Sequence, residues 1–221
     1  MPRVLIVLVT AALTVMITSA IMLTRQRGPL RTPADIPASV LSEPDQGLEG
    51  ITIVPFTLLD QNGRTVDQSI LEGCVTIIDF IFTNCPFVCP PMSQTMAHLS
   101  AQLADTPVRF MSFSVDPERD TPESLLAFAQ SYNADLDRWT FATGEAGVVE
   151  HILRRIGFEL HEDRSRPIAL QDGSTMMNIA HPSKLMLIDG SRRVLMLASF
   201  DEPDKVMALE RRARLLATAK R

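Results

Sequence analysis

Two cysteines four positions apart are the residues of this chain best suited to chemistry. Cys85 and Cys89 lie in the stretch "TNCPFVCPPM", with three residues between them. Side chains at this spacing share a face on a helical turn, close enough for a disulfide. Thiolates are also ligands for soft metal ions. The spacing therefore allows a redox-active disulfide or a pair of metal ligands, and it does not choose between them.

The elements around the pair favour a reactive site over a pair of inert core thiols. Residues 74–83, "CVTIIDFIFT", form an apolar run broken only by Asp79, which predicts a buried central strand opened by Cys74 as a core residue. Two prolines and an amphipathic helical pattern follow Cys89. The pair thus lies on a strand-to-helix turn, and a helix N-terminus lowers the pKa of a thiol.

The rest of the chain alternates strands and helices. Hairpins are predicted around Asn62–Gly63 and Asp189–Gly190. Between them "VRFMSFSVDPE" predicts a strand, "TPESLLAFAQSYNA" a helix and "VVEHILRRIGFEL" a third helix; "EPDKVMALERRARLLATAK" predicts a last one. The predicted fold class is α/β, a thioredoxin-like sandwich with central parallel strands and added β-hairpins.

A metal site needs more than two thiolates, and histidine is a natural third ligand. His98 falls on the helix after the cysteines and is expected to point away, while His151 and His161 lie in charged surroundings and are interpreted as surface residues. His181 precedes a strand of the terminal hairpin, and in a thioredoxin-like domain the loop entering that strand faces the cysteine turn. From the residues alone, His181 fits a locally bonded loop histidine as well as a metal ligand.

The N-terminal residues predict an exported protein. Residues 4–23 carry no charge and are long enough to span a hydrocarbon core of about 30 Å, so an uncleaved anchor over residues 1–24 is favoured over a cleaved signal peptide. Residues 25–50 hold four prolines and three glycines, which predicts a linker before a domain at residues 51–221. We expect a single-pass protein of the inner (cytoplasmic) membrane with this domain in the periplasm.

The composition excludes two classes of protein. A net charge of −5 argues against a nucleic-acid partner, which would require a basic face. Three cysteines are too few for a disulfide-stabilised scaffold.

Three stretches carry a resemblance to a known family: "TNCPFVCPPM", "SVDPERDTPE" and "AHPSKLMLIDGSRRVL". Over about residues 48–215 the chain resembles the Sco/SenC family of copper-binding proteins. The resemblance implies a thioredoxin-like fold and one copper ion held by Cys85, Cys89 and His181. Two thiolates suit Cu(I) and an imidazole supports Cu(II), so this set can hold both states.

The chain departs from the family pattern at two places. Pro182 follows the histidine where a small polar residue is common, and a cis His181–Pro182 bond is one hypothesis. Between the cysteines stand Pro86, Phe87 and Val88, where an acidic residue is common. Its absence is expected to affect partner docking more than copper ligation.

Other residues near the motifs have competing interpretations. Asp116 resembles the family's aspartate and would lie in the outer shell of the site, tuning the thiols by its charge, or it is a turn residue bonded to its own backbone. Met92 and Met96 are predicted core residues at helical spacing. A transient role of Met176 and Met177 as soft copper ligands is a further hypothesis.

The resemblance implies a periplasmic copper chaperone that assists assembly of the dinuclear copper centre of a haem-copper (cytochrome c) oxidase. Its partners would be the copper-centre subunit of the oxidase and another periplasmic copper carrier or thiol reductant. The alternative is a thiol–disulfide oxidoreductase, in which Cys85 and Cys89 reduce cysteines of an oxidase subunit or a copper carrier. Whether the chain is an enzyme is therefore open. The paired cysteines disfavour a peroxiredoxin-like peroxidase, and a redox or copper sensor is the remaining class.

Overall fold

A seven-stranded mixed sheet is the centre of the fold in this computed structural model, which describes residues 41–170 and 172–219. The strands are β1 (Thr57–Asp60), β2 (Thr65–Asp67), β3 (Thr76–Ile81), β4 (Arg109–Ser114), β5 (Trp139–Thr143), β6 (His161–Ala169), β7 (Thr175–Ala180), β8 (Lys184–Ile188) and β9 (Val194–Ser199). The helices are α1 (Cys89–Gln102), α2 (Pro122–Ser131), α3 (Val148–Arg155) and α4 (Pro203–Thr218), with a 3₁₀ turn at Gln68–Leu71.

The strand order is β2-β1-β5-β4-β3-β8-β9. The three inner strands β5, β4 and β3 run parallel, while the β1–β2 and β8–β9 hairpins add antiparallel strands at the two sides. The predicted thioredoxin-like plan of central parallel strands with added hairpins is confirmed. β6 and β7 form a separate two-stranded sheet.

The core forms around β3 because both faces of this strand are covered. All six of its residues are buried, and five of them are apolar or β-branched; Asp79 is the exception. Phe80 stacks on Phe113 of β4 with ring centroids 5.7 Å apart. On α1, Met92 and Met96 are fully buried, which confirms their prediction as core residues.

Both predicted hairpin turns are present, and an aspartate organises each. Asp60 Oδ1 accepts the backbone N–H groups of Asn62 and Arg64 at 2.8 Å in the first turn. In the second, Asp189 accepts from the N–H groups of Ser191 and Arg193. Short side chains that bond the backbone two residues onward stabilise such turns.

Three elements differ from the expected ones. β5 and the β6–β7 hairpin were not predicted. β6 is mostly exposed, so it lacks the apolar alternation that marks a strand. The third predicted helix, residues 148–160, ends at Arg155, because Gly157 adopts φ +82° and breaks it.

The predicted membrane anchor, residues 1–24, lies outside the described residues. Within residues 41–170 and 172–219, no helix has the length and apolar character needed to cross a membrane. The last ten residues of the predicted linker contact the C-terminal part of the chain: Asp45 N–H donates to the Leu195 carbonyl at 2.8 Å, and the Arg212 side chain donates to the Leu41 carbonyl at 3.0 Å.

Candidate metal centre

The two cysteines stand at the carboxyl end of the central strand, as predicted. Four residues beyond β3, Cys85 closes a turn by donating its N–H to the Phe82 carbonyl at 3.2 Å. Cys89 is the first residue of α1, and Pro90 follows it where no N–H is required. Cys89 is fully buried and Cys85 is 6% exposed; both are free thiols, not joined by a disulfide.

His181 reaches the cysteines from the other side of the site. It directly follows β7, and its Nε2 atom lies 3.4 Å from the Cys89 Sγ. The donor atoms of Cys85, Cys89 and His181 all lie within 4.8 Å of one another. The structure thus brings together the three residues that the family resemblance singled out.

Two contacts fix the orientation of the His181 ring. Nδ1 lies 3.2 Å from the Pro182 carbonyl oxygen, an acceptor, so a proton on Nδ1 satisfies this contact and leaves the Nε2 lone pair facing Cys89. The ring also meets Phe82 edge-on at a centroid distance of 5.6 Å. The His181–Pro182 peptide bond is trans, so the hypothesis of a cis bond is wrong.

The surroundings of the two thiols shift their pKa values in opposite directions. A hydrogen bond from Cys89 is the main cause that lowers the pKa of Cys85 to about 4, helped by His181 and by the Cys89 N–H, which lies 3.5 Å from the Cys85 Sγ. Burial, reinforced by the neighbouring Cys85, raises the pKa of Cys89. At neutral pH the reduced pair therefore holds a thiolate at Cys85 and a thiol at Cys89.

A buried carboxylate lies beneath the site on β3. Asp79 Oδ1 accepts from the Ser112 hydroxyl at 2.5 Å, and Ser112 Oγ accepts from Trp139 Nε1 at 2.9 Å. The Asp79 Oδ2 atom has no hydrogen-bond partner among the described residues. Burial raises the pKa of Asp79 to about 7, partly opposed by the Ser112 hydrogen bond and by the electrostatic influence of the nearby His181. Asp79 was noted in the sequence only as an interruption of the strand.

Asp116 is buried in the loop after β4, and its carboxylate pairs with Arg119 at 2.8 Å. In the described part of the chain it makes no hydrogen bond to any of the three donor side chains. Burial raises its pKa, opposed by the charge of Arg119. Its outer-shell role stays a prediction, and the contact with Arg119 is what the structure contributes to it.

Asp120, which the sequence interpretation missed, contacts the turn that leads from Phe82 to Cys85. Its carboxylate accepts from the Thr83 hydroxyl at 2.6 Å and from the Ser114 hydroxyl at 2.6 Å. Burial raises the pKa of Asp120 to about 6, partly opposed by these hydrogen bonds. The sequence signal was its place as the second aspartate of "SVDPERDTPE", just before the cap of α2 at Thr121.

Comparison with known proteins identifies the family. A model of the SCO1/SenC family matches residues 45–216, which include Cys85, Cys89 and His181. This chain belongs to the SCO1/SenC family.

Individual SCO1/SenC proteins resemble the chain in sequence and fold. The "SCO1 protein homolog" of Bacillus subtilis (strain 168) is 46% identical over 94 residues, which are 42% of this chain and 49% of that protein, so the match spans about half of the relative's length. BsSco, a member of the Sco family of cytochrome c oxidase assembly proteins with a disulfide switch, is 29% identical with a TM-score of 0.59, covering 78% of this chain and 99% of BsSco. Copper-bound ScoI of Bradyrhizobium japonicum is 25% identical with a TM-score of 0.54, covering 72% and 98%.

The other candidate residues of this SCO1/SenC chain are not members of the three-residue donor cluster. His98, His151 and His161 are exposed, as expected. In the described ranges, no second group of three His, Cys, Asp or Glu side chains converges in this way. Cys74 is only half-buried, so it is not the core residue that was predicted. Met176 is buried in the core, and the adjacent Met177 is 39% exposed.

In this SCO1/SenC chain the β6–β7 hairpin carries the third donor. Its second strand ends at Ala180, so His181 is placed by the hairpin. On β6, Arg166 lies over the Phe87 ring at 5.8 Å, a cation–π contact between the hairpin and the segment between the cysteines. Ile168 is buried against the core. The hairpin thus contacts the segment between the two cysteines and supplies His181 to the site.

Proposed function

We propose that this chain is a membrane-anchored periplasmic copper chaperone. It binds one copper ion through Cys85, Cys89 and His181 and assists assembly of the dinuclear copper centre of a haem-copper cytochrome c oxidase. The observation that carries the proposal is the convergence of two sulfur donors and one imidazole nitrogen within 4.8 Å. Copper is the cargo of such a protein.

The donor set fits copper in both of its oxidation states. Thiolate sulfur favours Cu(I), and imidazole nitrogen also supports Cu(II). A structural zinc site normally has four protein ligands, and in the described ranges only three donors converge here. The carbonyl of Pro182 beside Nδ1 favours the tautomer in which Nε2 is free to bind the ion.

The protonation states of the two cysteines determine the order in which they would bind the ion. Cys85 is already a thiolate at neutral pH, so it is suited to make the first contact with the ion. Cys89 retains its proton until the ion arrives, and binding then releases that proton. Because thiolates are the ligands and a disulfide offers none, the oxidised pair cannot be loaded with the ion.

Support for a role in oxidase assembly comes from the family. BsSco, which shares the fold at 29% identity, belongs to a family of cytochrome c oxidase assembly proteins, and ScoI has been solved with copper bound. The uncharged residues 4–23 support an anchor in the inner membrane, with the domain in the periplasm. A C-terminal reporter that is active only in the cytoplasm would contradict this placement.

Copper titration of the full chain in detergent tests the ligand set. With the cysteines reduced, we expect one copper ion per chain and a sulfur-to-copper charge-transfer absorption for Cu(II). His181→Ala should weaken Cu(II) binding by more than about 100-fold, because losing a ligand costs more than losing a partner that orients one. His98→Ala, an exposed histidine on α1, is the matched control and should bind as the parent does. Full Cu(II) affinity and absorption in His181→Ala would refute the assignment.

The protonation states of Cys85 and Cys89 also favour a second candidate function, that of a thiol–disulfide oxidoreductase. A thiolate at Cys85 beside a thiol at Cys89 is the arrangement that attacks a disulfide and then resolves the mixed disulfide. In that reaction the Cys85 thiolate attacks one sulfur of the substrate disulfide, and the other sulfur leaves as the first thiol. Cys89 then gives up its proton and attacks the Cys85 Sγ, so that a Cys85–Cys89 disulfide forms and the second substrate thiol is released. Protein isolated from the periplasm without copper or measurable copper affinity, yet able to reduce an oxidase-subunit disulfide, would favour this function.

A further inference from the structure

The turn from Phe82 to Cys85 joins the central sheet to the site. The Cys85 N–H donates to the Phe82 carbonyl at 3.2 Å, which places Thr83 and Asn84 in the middle of a four-residue turn. At one end of the turn the Phe82 ring meets His181 edge-on, and at the other end is the Cys85 thiol. A shift of this turn would therefore move Cys85 and a packing contact of His181 together.

Asp120 holds the middle of this turn. The Thr83 hydroxyl donates to Asp120 Oδ1 at 2.6 Å, and the Thr83 N–H is shared between the two carboxylate oxygens at 3.1 and 3.2 Å. Asp120 is 1% exposed, so water does not compete for these hydrogen bonds. Hydrogen bonds to a carboxylate are stronger than bonds between neutral groups.

The carboxylate of Asp120 is itself anchored to the neighbouring strand. Ser114, the last residue of β4, donates its hydroxyl to Asp120 Oδ2 at 2.6 Å. The Asp120 N–H donates to the Asp116 carbonyl at 2.9 Å. Ser114 is the register partner of Ile81, the last residue of β3. Asp120 thus connects the ends of two parallel strands to the turn that leaves one of them.

We propose that Asp120 is a positioning residue, which holds the Phe82–Cys85 turn so that Cys85 lies beside Cys89 and His181. Its carboxylate hydrogen-bonds Thr83 and Ser114 and not the three donors, so it acts through Thr83. The copper part of this inference rests on the proposed function. The placement of Cys85 against Cys89 is independent of copper, and the disulfide equilibrium of the pair measures it.

Asp120→Ala in the full chain removes the acceptor of both Thr83 donors. We expect Cu(II) affinity to fall about 10- to 100-fold, the range found when a group that orients metal ligands is lost. We also expect a shifted charge-transfer band and a change of about tenfold in the Cys85–Cys89 thiol–disulfide equilibrium, which is about 30 mV. Asp120→Asn retains one oxygen for Thr83 and should recover most of the affinity.

A buried carboxylate in another turn supplies the matched control. Asp60 is 8% exposed and accepts two backbone N–H groups in the β1–β2 turn, so Asp60→Ala removes comparable hydrogen bonds elsewhere. We expect it to leave the absorption band, copper affinity and disulfide equilibrium unchanged. If Asp120→Ala folds and all three measurements match the parent protein, the proposal is refuted.

Thr83→Val decides the question if Asp120→Ala does not fold. It removes one hydroxyl donor and keeps the backbone N–H, so the absorption band and the disulfide equilibrium should still differ from those of the parent protein, the equilibrium by less than about tenfold. An unchanged band and equilibrium in Thr83→Val would overturn the proposal. A parent protein that binds no copper would refute the proposed function alone, and the disulfide equilibria of the variants would then decide the role of Asp120.

Discussion

Cys89 Sγ lies 3.4 Å from His181 Nε2, although 92 residues separate the two in the chain. Cys89 is the first residue of α1 and is held by the main sheet and its helix, whereas His181 is the first residue after the β6–β7 hairpin. The donor set is therefore assembled from two parts of the fold.

Cys85 should react as a thiolate far below the pH at which an ordinary thiol does. Since its pKa is lowered to about 4, the rate of iodoacetamide alkylation should stay nearly constant from about pH 8 to about pH 5. Buried Cys89 should not react. Mass spectrometry of the reduced Cys74→Ser protein over time gives both rates. A rate that falls about tenfold per pH unit below about pH 8 would contradict the thiolate assignment.

Asp79 should make a contribution to stability that falls as the pH rises from about 4 to 7. Its pKa rises from 3.8 to about 7 on folding, so within this window the folded state holds a proton that the unfolded state has lost. The stabilisation is complete below pH 3.8, decreases by about 1.4 kcal/mol per pH unit and is lost above about pH 7.

Asp79→Asn removes this titration and should change the slope of stability against pH by one proton, in the direction of stability that rises with pH. Urea denaturation of both proteins at several pH values measures the difference in slope. The contribution of Asp120, whose pKa is raised to about 6, has the same sign as that of Asp79. The contribution of Cys85, whose pKa is lowered to about 4, has the opposite sign, and both remain in the parent and the variant. Equal slopes for the parent and Asp79→Asn would show that Asp79 does not hold a proton in the folded state.

Trp139, the one tryptophan in the chain, should report the ionisation of Asp79 by its fluorescence. The indole N–H donates to Ser112, which in turn donates to Asp79, so a charge that appears on Asp79 changes the field at the ring in a poorly screened interior. We expect an emission change with a midpoint near pH 7, absent in Asp79→Asn. An identical titration in Asp79→Asn would assign the change to another group.

Gly190→Ala should destabilise the fold through a close backbone approach. A Cβ at this position would lie 2.8 Å from the carbonyl carbon and 2.9 Å from the Cα of Gly73, whose N–H donates to the Gly190 carbonyl. Backbone atoms cannot rotate away, so we expect a loss of roughly 1–3 kcal/mol in the free energy of unfolding. Ser191→Ala, at an exposed neighbour in the same turn, should change it by less than about 0.5 kcal/mol. Equal stabilities of the two variants would contradict the close approach.

The local part of the site could be predicted from the sequence. An apolar run, two prolines and a helical pattern predict β3, the cysteine turn and the start of α1, because each signal lies within a few residues of the element it describes. The hairpin at Asp189 follows from turn chemistry in the same way. The position of His181 required the fold and the family resemblance as well, since no local pattern links it to the cysteines.

The buried carboxylates could not be predicted in this way. Asp79 meets Ser112 across 33 residues, and Asp120 meets Thr83 across 37. Both contacts depend on the register of β3 against β4, and parallel strands share no connecting turn that would set it. The β6–β7 hairpin was missed for another reason, because a strand with most side chains in water has no apolar alternation.

The β6–β7 hairpin pairs separately from the main sheet, so a copper ion bound at its end would also affect the stability of the protein. A copper ion held by Cys89 and His181 would act as a cross-link between residues that are 92 positions apart. By the loop-entropy argument used for disulfides, a link closing roughly 100 residues restricts the unfolded chain by about 4–5 kcal/mol. Loaded and empty forms would then differ in their resistance to proteases as well as in metal content. Delivery of the ion would leave behind a chain that is easier to degrade.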